Sequence, residues 1–223
     1  RRPKLTMEFQ SIDVYCERLS PEFWAEPANA ISNLGFVLVG LWAFYRAKKC
    51  TASPMIVFLS AMVAVVGLGS FLFHTFANTL SLVGDLLPIF IFTSAYLYHS
   101  LRHYLNWSRG QAWIALTAVV LSMLFVQLLV PNRILNGSLL YIPPLIALFS
   151  IANATKRRKL VIARRYHAAA TVFALSLALR TIDFVVCDSF PIGTHFLWHL
   201  LNGACLGLLM QIAFQYDSPE SRA

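Results

Sequence analysis

Charge is scarce in this chain. Only 13% of its 223 residues are charged, ten acidic against 18 basic, while 58% are hydrophobic. A water-soluble domain carries roughly a quarter charged residues, so that class is excluded. Long polar stretches are missing too, and no connection between two apolar runs has room for a soluble domain. Four cysteines are too few for a secreted scaffold built on disulfides. The last apolar run, Thr194–Phe214, contains no lysine, which excludes a retinal-type Schiff base there. Polar residues are not strung through the runs as a transporter would need; they gather at one end.

What is present is apolar length. A spanning helix takes about 17–25 mostly apolar residues, and seven runs qualify: Ala28–Tyr45, Pro54–Phe76, Leu80–Leu101, Trp113–Val130, Leu135–Ala154, Tyr166–Val186 and Thr194–Phe214. The fold class expected is all-α, an integral membrane bundle of seven transmembrane helices. Residues 1–27 form an N-terminal extracytoplasmic segment, 28–216 the membrane domain and 217–223 a C-terminal cytoplasmic tail.

Orientation follows from Lys and Arg, which accumulate on the cytoplasmic side. Arg46, Lys48, Lys49, Arg102, Arg109, Lys156, Arg157, Arg158, Lys159, Arg164, Arg165 and Arg222 fall on the side of the C-terminus, against Arg1, Arg2, Lys4, Arg18 and Arg133 on the other. The expected protein is multi-pass, with its N-terminus lumenal, periplasmic or exterior. The run KRRKLVIARR then reads as an orientation signal facing anionic lipid, and no nucleic-acid partner is expected.

Histidine carries the chemistry. His195 and His199 are four residues apart and share one helix face, so both can grip one cation, and one residue from another helix would complete three protein ligands. His74 closes the second run. Tracing the runs in alternate directions puts His74, His195, His199 and Asp85 at the same outer depth. Ionisable groups inside a membrane are functional by default. His99, His103 and His167 fall near inner ends and read as interfacial anchors. Trp24, Trp42, Trp107, Trp113 and Trp198 mostly sit near run ends as an aromatic belt, with Trp198 also placed to line a lipid-chain groove. Pro88, Pro143 and Pro144 should kink their helices.

Three blocks, YCER with FWAEPANAISN, GLGSFLFHTFANTLSLVGDLLP, and HFLWHLLNG, resemble those of the alkaline ceramidases, seven-span hydrolases related to the adiponectin-receptor-like proteins. The resemblance implies an intramembrane amidase that hydrolyses ceramide to a fatty acid and a sphingoid base. His74, His195 and His199 would bind zinc, and a zinc-bound water would be the nucleophile. Asp85 would be the general base, and Ser70, one turn before His74, would orient the water or donate to the oxyanion. Ser70 also reads as a helix residue bonding a backbone carbonyl, and Asp85 as a helix-start carboxylate.

The resemblance further implies a calcium site in the N-terminal segment, with Glu17 and Glu26 at matching positions and Asp13 nearby. The match is incomplete: Val14 and Leu19 stand where the family places Asp and Asn, and the stretch from Cys16 to Glu26 is two residues shorter. Salt bridges or capping of the first helix are the other reading of these carboxylates. Cys16 and Cys187 both fall on the outer side, whereas Cys50 and Cys205 do not, and the resemblance also points to a Cys16–Cys187 disulfide; two free thiols are the alternative. Asp183 is expected either to pair with Arg180 or to support a zinc-ligand histidine. The partner expected is a ceramide-like membrane lipid. Other readings are a related hydrolase of a glycerolipid or lipid-anchor ester, and a receptor-like protein with residual hydrolase activity.

Overall fold

Apolar length sets the architecture, and punctuation residues set its ends. A computed structural model of the protein describes residues 11–131, 134–156 and 160–216. Arg1, Arg2, Lys4, Arg133, Arg157, Arg158, Lys159, Arg222 and the tail 217–223 lie outside the described residues. The helices are α1 (Pro27–Ser32), α2 (Leu34–Lys49), α3 (Pro54–Phe76), α4 (Thr79–His103), α5 (Arg109–Leu129), α6 (Ile142–Thr155), α7 (Leu160–Val186) and α8 (His195–Tyr216), with a 3-10 segment over Ile134–Tyr141, and no strand occurs among the described residues.

Seven helical stretches are long and apolar enough to cross a membrane: Pro27–Lys49, Pro54–Phe76, Thr79–His103, Arg109–Leu129, Ile134–Thr155, Leu160–Val186 and His195–Gln215. The chain is a multi-pass membrane protein of the expected all-helical class. Helices satisfy most of their own backbone hydrogen bonds, the condition a bilayer imposes. Leu38, Leu121, Phe125, Leu128 and Val185 are exposed on the bundle surface, where acyl chains would cover them.

Helix starts follow local chemistry. Asn78 and Ser108 form capping boxes with Ser81 and Gln111 at the heads of α4 and α5, which satisfies donors that a helix start leaves orphaned. The sixth span begins at least six residues before the expected Tyr166, because Leu160–Arg165 continues the helix into the basic stretch. The fifth span keeps its expected extent but not a regular helix at its start. Leu135, Asn136 and Gly137 adopt left-handed conformations, and the α-helix proper starts only at Ile142. Pro143 and Pro144 therefore occupy the first turn of α6, where a missing N–H costs nothing, instead of kinking the helix from within.

In the packing, α7 lies along α8, and α3 lies between α2 and α4. The α3–α4 contact has a specific cause. Pro88 lies inside α4 and has no N–H to give the carbonyl of Gly84. That carbonyl faces Gly69 of α3 so closely that a Cβ on Gly69 would stand 2.1 Å from the Gly84 oxygen. Only glycine permits this approach, and it brings the next residues, Ser70 and Asp85, side by side. At the other end of the bundle, Tyr96 donates to the Leu209 carbonyl at 2.8 Å, and Ser100 bonds Tyr166 at 2.8 Å. These bonds satisfy buried hydroxyls without involving the histidines.

Candidate metal centre

Three helix ends meet at one end of the bundle. His74 lies in the last turn of α3, and His195 and His199 lie in the first two turns of α8. The three side chains are each at most 2% exposed. One ligand atom from each falls within 4.8 Å of the others, and this is the group of three or more metal-ligating side chains found among the described residues.

Each ring is oriented by a neighbour. Nδ1 of His74 lies 2.6 Å from Glu26 Oε2, and Nδ1 of His199 lies 2.7 Å from Ser32 Oγ. Both bonds leave the opposite ring nitrogen for a cation, and partners of this kind fix the tautomer of a ligand histidine. His195 is held by stacking, with the Tyr15 ring 3.6 Å from its own. Nδ1 of His195 is buried without a hydrogen-bond partner, an orphan that a cation in the cluster would account for. The donor set suits a zinc ion, which takes imidazole nitrogens and in catalytic sites keeps a position open beyond three protein ligands.

The backbone of α8 is anchored from α7. Asp183 is fully buried; Oδ1 accepts from the amides of Thr194 and His195 at 2.6 and 2.9 Å, and Oδ2 accepts from the Cys16 amide at 3.0 Å. A carboxylate at a helix start meets both orphaned donors and the positive end of the helix dipole. Of the two partners expected for Asp183, it is a histidine of the cluster, His195, that it contacts, through the backbone amide and not the ring. Arg180 does not pair with it. The Arg180 guanidinium donates to the Asn136 carbonyl and to Ser138 Oγ, has the Tyr15 hydroxyl as a neighbour, and lies over the rings of Tyr141 and Trp198 at 5.5 and 5.7 Å.

Asp85, in the second turn of α4, is buried beside the cluster. Its Oδ1 lacks a hydrogen-bond partner. Ser70 and His74 of α3 and Arg180 of α7 are the polar neighbours of its carboxyl group. Ser70, His74, Asp85, His195 and His199 thus occupy one end of the bundle, as expected.

The N-terminal segment closes over this end. Cys16 and Cys187 are joined by a disulfide, whereas Cys50 and Cys205 are free. The carboxylates expected to share a calcium ion have other partners here. Glu17 accepts from the amides of Ala28 and Asn29 at 2.6 and 2.8 Å, capping α1. Glu26 pairs with Arg18 and His74 and accepts from Asn29 at 3.0 Å. Asp13 is exposed. Burial pushes the Glu17 carboxyl up, although the two amides oppose it. Burial pushes Glu26 up too, but His74, Asn29 and Arg18 outweigh that and hold it below the usual carboxylate range. Burial raises the Tyr15 hydroxyl.

An apolar cavity of about 320 Å³ opens beneath the cluster, lined by Phe36, Phe92, Tyr141, Phe173, Trp198 and Leu209 among others. Trp198 and Phe36 stand between it and the histidines, with ring separations of 6.4 Å to His195 and to His199 respectively. Trp198 thus lines the groove expected of it. His99, expected as an interfacial anchor, is instead buried, with its ring 4.4 Å from that of His103.

Sequence reading missed four members of this site: Arg18, Tyr15, Ser32 and the contact of Glu26 with His74. Their signal was present in the dense polar patterning of YCER and AEPANAIS directly before an apolar run.

No curated protein matches the chain. The sequence model of the family described as Ceramidase matches residues 11–220, which include every group named above.

Proposed function

The chain belongs to the ceramidase family, and from that premise we propose that it is a zinc-dependent amidase acting within the bilayer, cleaving ceramide into a fatty acid and a sphingoid base. The observation that carries this reading is the convergence of His74, His195 and His199 beside Asp85, directly above an apolar cavity. Bound by those histidines, zinc would supply Lewis acidity and bring the pKa of water from 15.7 toward about 7.

The remaining chemistry belongs to the side chains. Water adds to the amide carbonyl carbon, the C–N bond breaks, and a proton must travel from the water to the departing nitrogen. Asp85 takes that proton and returns it, as a general base then acid, and the hydroxyl of Ser70, its neighbour on α3, would help to position the carboxyl group. Arg180 sets a fixed positive charge in the neighbourhood of Asp85, where it would stabilise the negative charge that develops on the carbonyl oxygen. The apolar cavity receives a hydrocarbon chain, and Trp198 and Phe36 separate that chain from the polar end.

The site end is extracytoplasmic and the C-terminus cytoplasmic in this reading. Support comes from the balance of the described Lys and Arg residues: Arg46, Lys48, Lys49, Arg102, Arg109, Lys156, Arg164 and Arg165 lie toward the opposite end of the bundle from the histidines, against Arg18 and Arg180 at the histidine end.

The test is fatty-acid release from a ceramide panel, with an ester analogue included, by detergent-purified protein alongside His199→Ala, with metal analysis of both. Zinc near one per chain and release abolished by the substitution are expected. Zinc with release from the ester alone would move the substrate to another lipid class, and protein free of metal would overturn the reading.

A further inference from the structure

The oxygen atoms that could have held calcium are gathered around a side chain instead. Arg18 is 3% exposed. Its Nε donates to Glu26 Oε1. Nη1 donates to the carbonyls of Ser20 and Glu22 at 3.2 and 3.4 Å, and Nη2 to the carbonyl of His74 at 2.9 Å. One carboxylate and three backbone carbonyls around a cation is the donor chemistry of a calcium site, which needs 6–8 oxygens. Here the cation is a guanidinium.

Among the described residues, the other positions named for a calcium site do not make up the shortfall for a second cation. Both oxygens of Glu17 are occupied by the amides of Ala28 and Asn29, Asp13 is exposed, and Val14 and Leu19 offer no side-chain oxygen. A divalent ion would have to share one carboxylate with a buried, permanently charged arginine. The residues present do not fit calcium.

We propose that Arg18 is the resident cation of this cage, a positioning residue whose covalently attached charge does what a structural calcium ion would do, so that the metal centre assembles without calcium. Three consequences of its geometry support this. It satisfies the His74 carbonyl, one of the last in α3 and otherwise without a helical partner. It neutralises Glu26, so the carboxylate stays available to His74 Nδ1 in a buried setting. It also pins the loop at Ser20 and Glu22 over the histidines. The proposal rests on His74 being a metal ligand, but not on which lipid is cleaved.

The experiment uses the full-length protein in detergent, with cobalt as a spectroscopic replacement for zinc and with buffers freed of calcium on a resin, since soluble calcium chelators also strip transition metals. Wild-type melting midpoint and cobalt affinity are expected to be the same with and without millimolar calcium. A saturable rise in either that calcium causes and magnesium does not would overturn the proposal. In Arg18→Gln, cobalt affinity is expected to fall about tenfold, the lower end of the effect of losing support to a ligand, with partial recovery in Arg18→Lys. Equal affinity in Arg18→Gln and wild type would also overturn it, and if that variant fails to fold, the wild-type calcium titration still decides. Neither readout involves substrate, so failure of ceramide hydrolysis and failure of this proposal are separately visible.

Discussion

Glu26 Oε2 stands 2.6 Å from Nδ1 of His74, across 48 positions of sequence. The contact joins the residue preceding α1 to the last turn of α3. It turns a helix-start carboxylate into the group that sets the tautomer and basicity of a candidate metal ligand, and the other oxygen of the same carboxylate is held by Arg18.

Glu26→Gln should therefore weaken metal binding while leaving all three histidines in place. A carboxamide accepts one hydrogen bond less strongly and cannot stabilise positive charge on the ring. The expected loss is about 10–100-fold in zinc affinity, measured by competition with a chromophoric chelator. Unchanged affinity would show that the contact is structural only.

Asp85→Asn should separate metal binding from turnover. The histidines keep their partners, so metal content stays at the wild-type level, while kcat for amide cleavage drops by about 10²–10⁴-fold, the range for loss of a general base. Ser70→Ala, which removes only the group positioning Asp85, should fall between the two. Fatty-acid release and metal analysis on one preparation test both variants.

Asp183→Asn should be costly to stability although it changes one atom. Three amide N–H groups, from Cys16, Thr194 and His195, converge on the two oxygens of Asp183. An asparagine nitrogen cannot accept, so at least one buried amide is left unpaired, at about 1–3 kcal/mol. A lower melting midpoint with the Cys16–Cys187 bond still formed on a non-reducing gel is the expected result.

Glu17 gives a pH dependence with a definite sign. Burial holds its carboxyl above the usual range, so the folded protein binds that proton more tightly than the unfolded chain does. The favourable contribution is present below the ordinary carboxylate value and is lost as pH rises through the elevated one. In Glu17→Gln this loss is absent, and the stability of wild type relative to the variant should decline across that window and then level off. Glu17→Ala removes both acceptors at the head of α1 and should cost about 0.5–2 kcal/mol at every pH. Melting midpoints across the acid range check both.

Much of this was legible in one dimension because two strong regularities overlap. Apolar run length marked the seven spans, and i, i+4 spacing with alternating direction put His74, Asp85, His195 and His199 at one end. The fifth span lies where apolar length put it, at Ile134–Thr155, but hydropathy does not encode the left-handed conformations of Leu135 and Asn136 at its start. Arg180 was read through its neighbour at i+3, but a longer-range partner, the 136–138 segment, claimed it. Arg18 was invisible as a site residue because its partners are mostly main-chain carbonyls, which no sequence pattern encodes.

The bond between Cys16 and Cys187 joins residues 171 positions apart, which places a condition on biosynthesis. At elongation rates of about 5–20 residues per second, the Cys16 thiol waits roughly 10–30 s for its partner to be made. Through that interval the N-terminal arm has no α7–α8 turn to close on and Asp183 does not yet exist to receive the Cys16 amide. His195 and His199 come later still. The arm therefore cannot be sealed over the site until the chain is nearly complete, so closure of the candidate metal centre is among the last events of assembly, and a chain interrupted before Cys187 carries an unpaired Cys16 thiol.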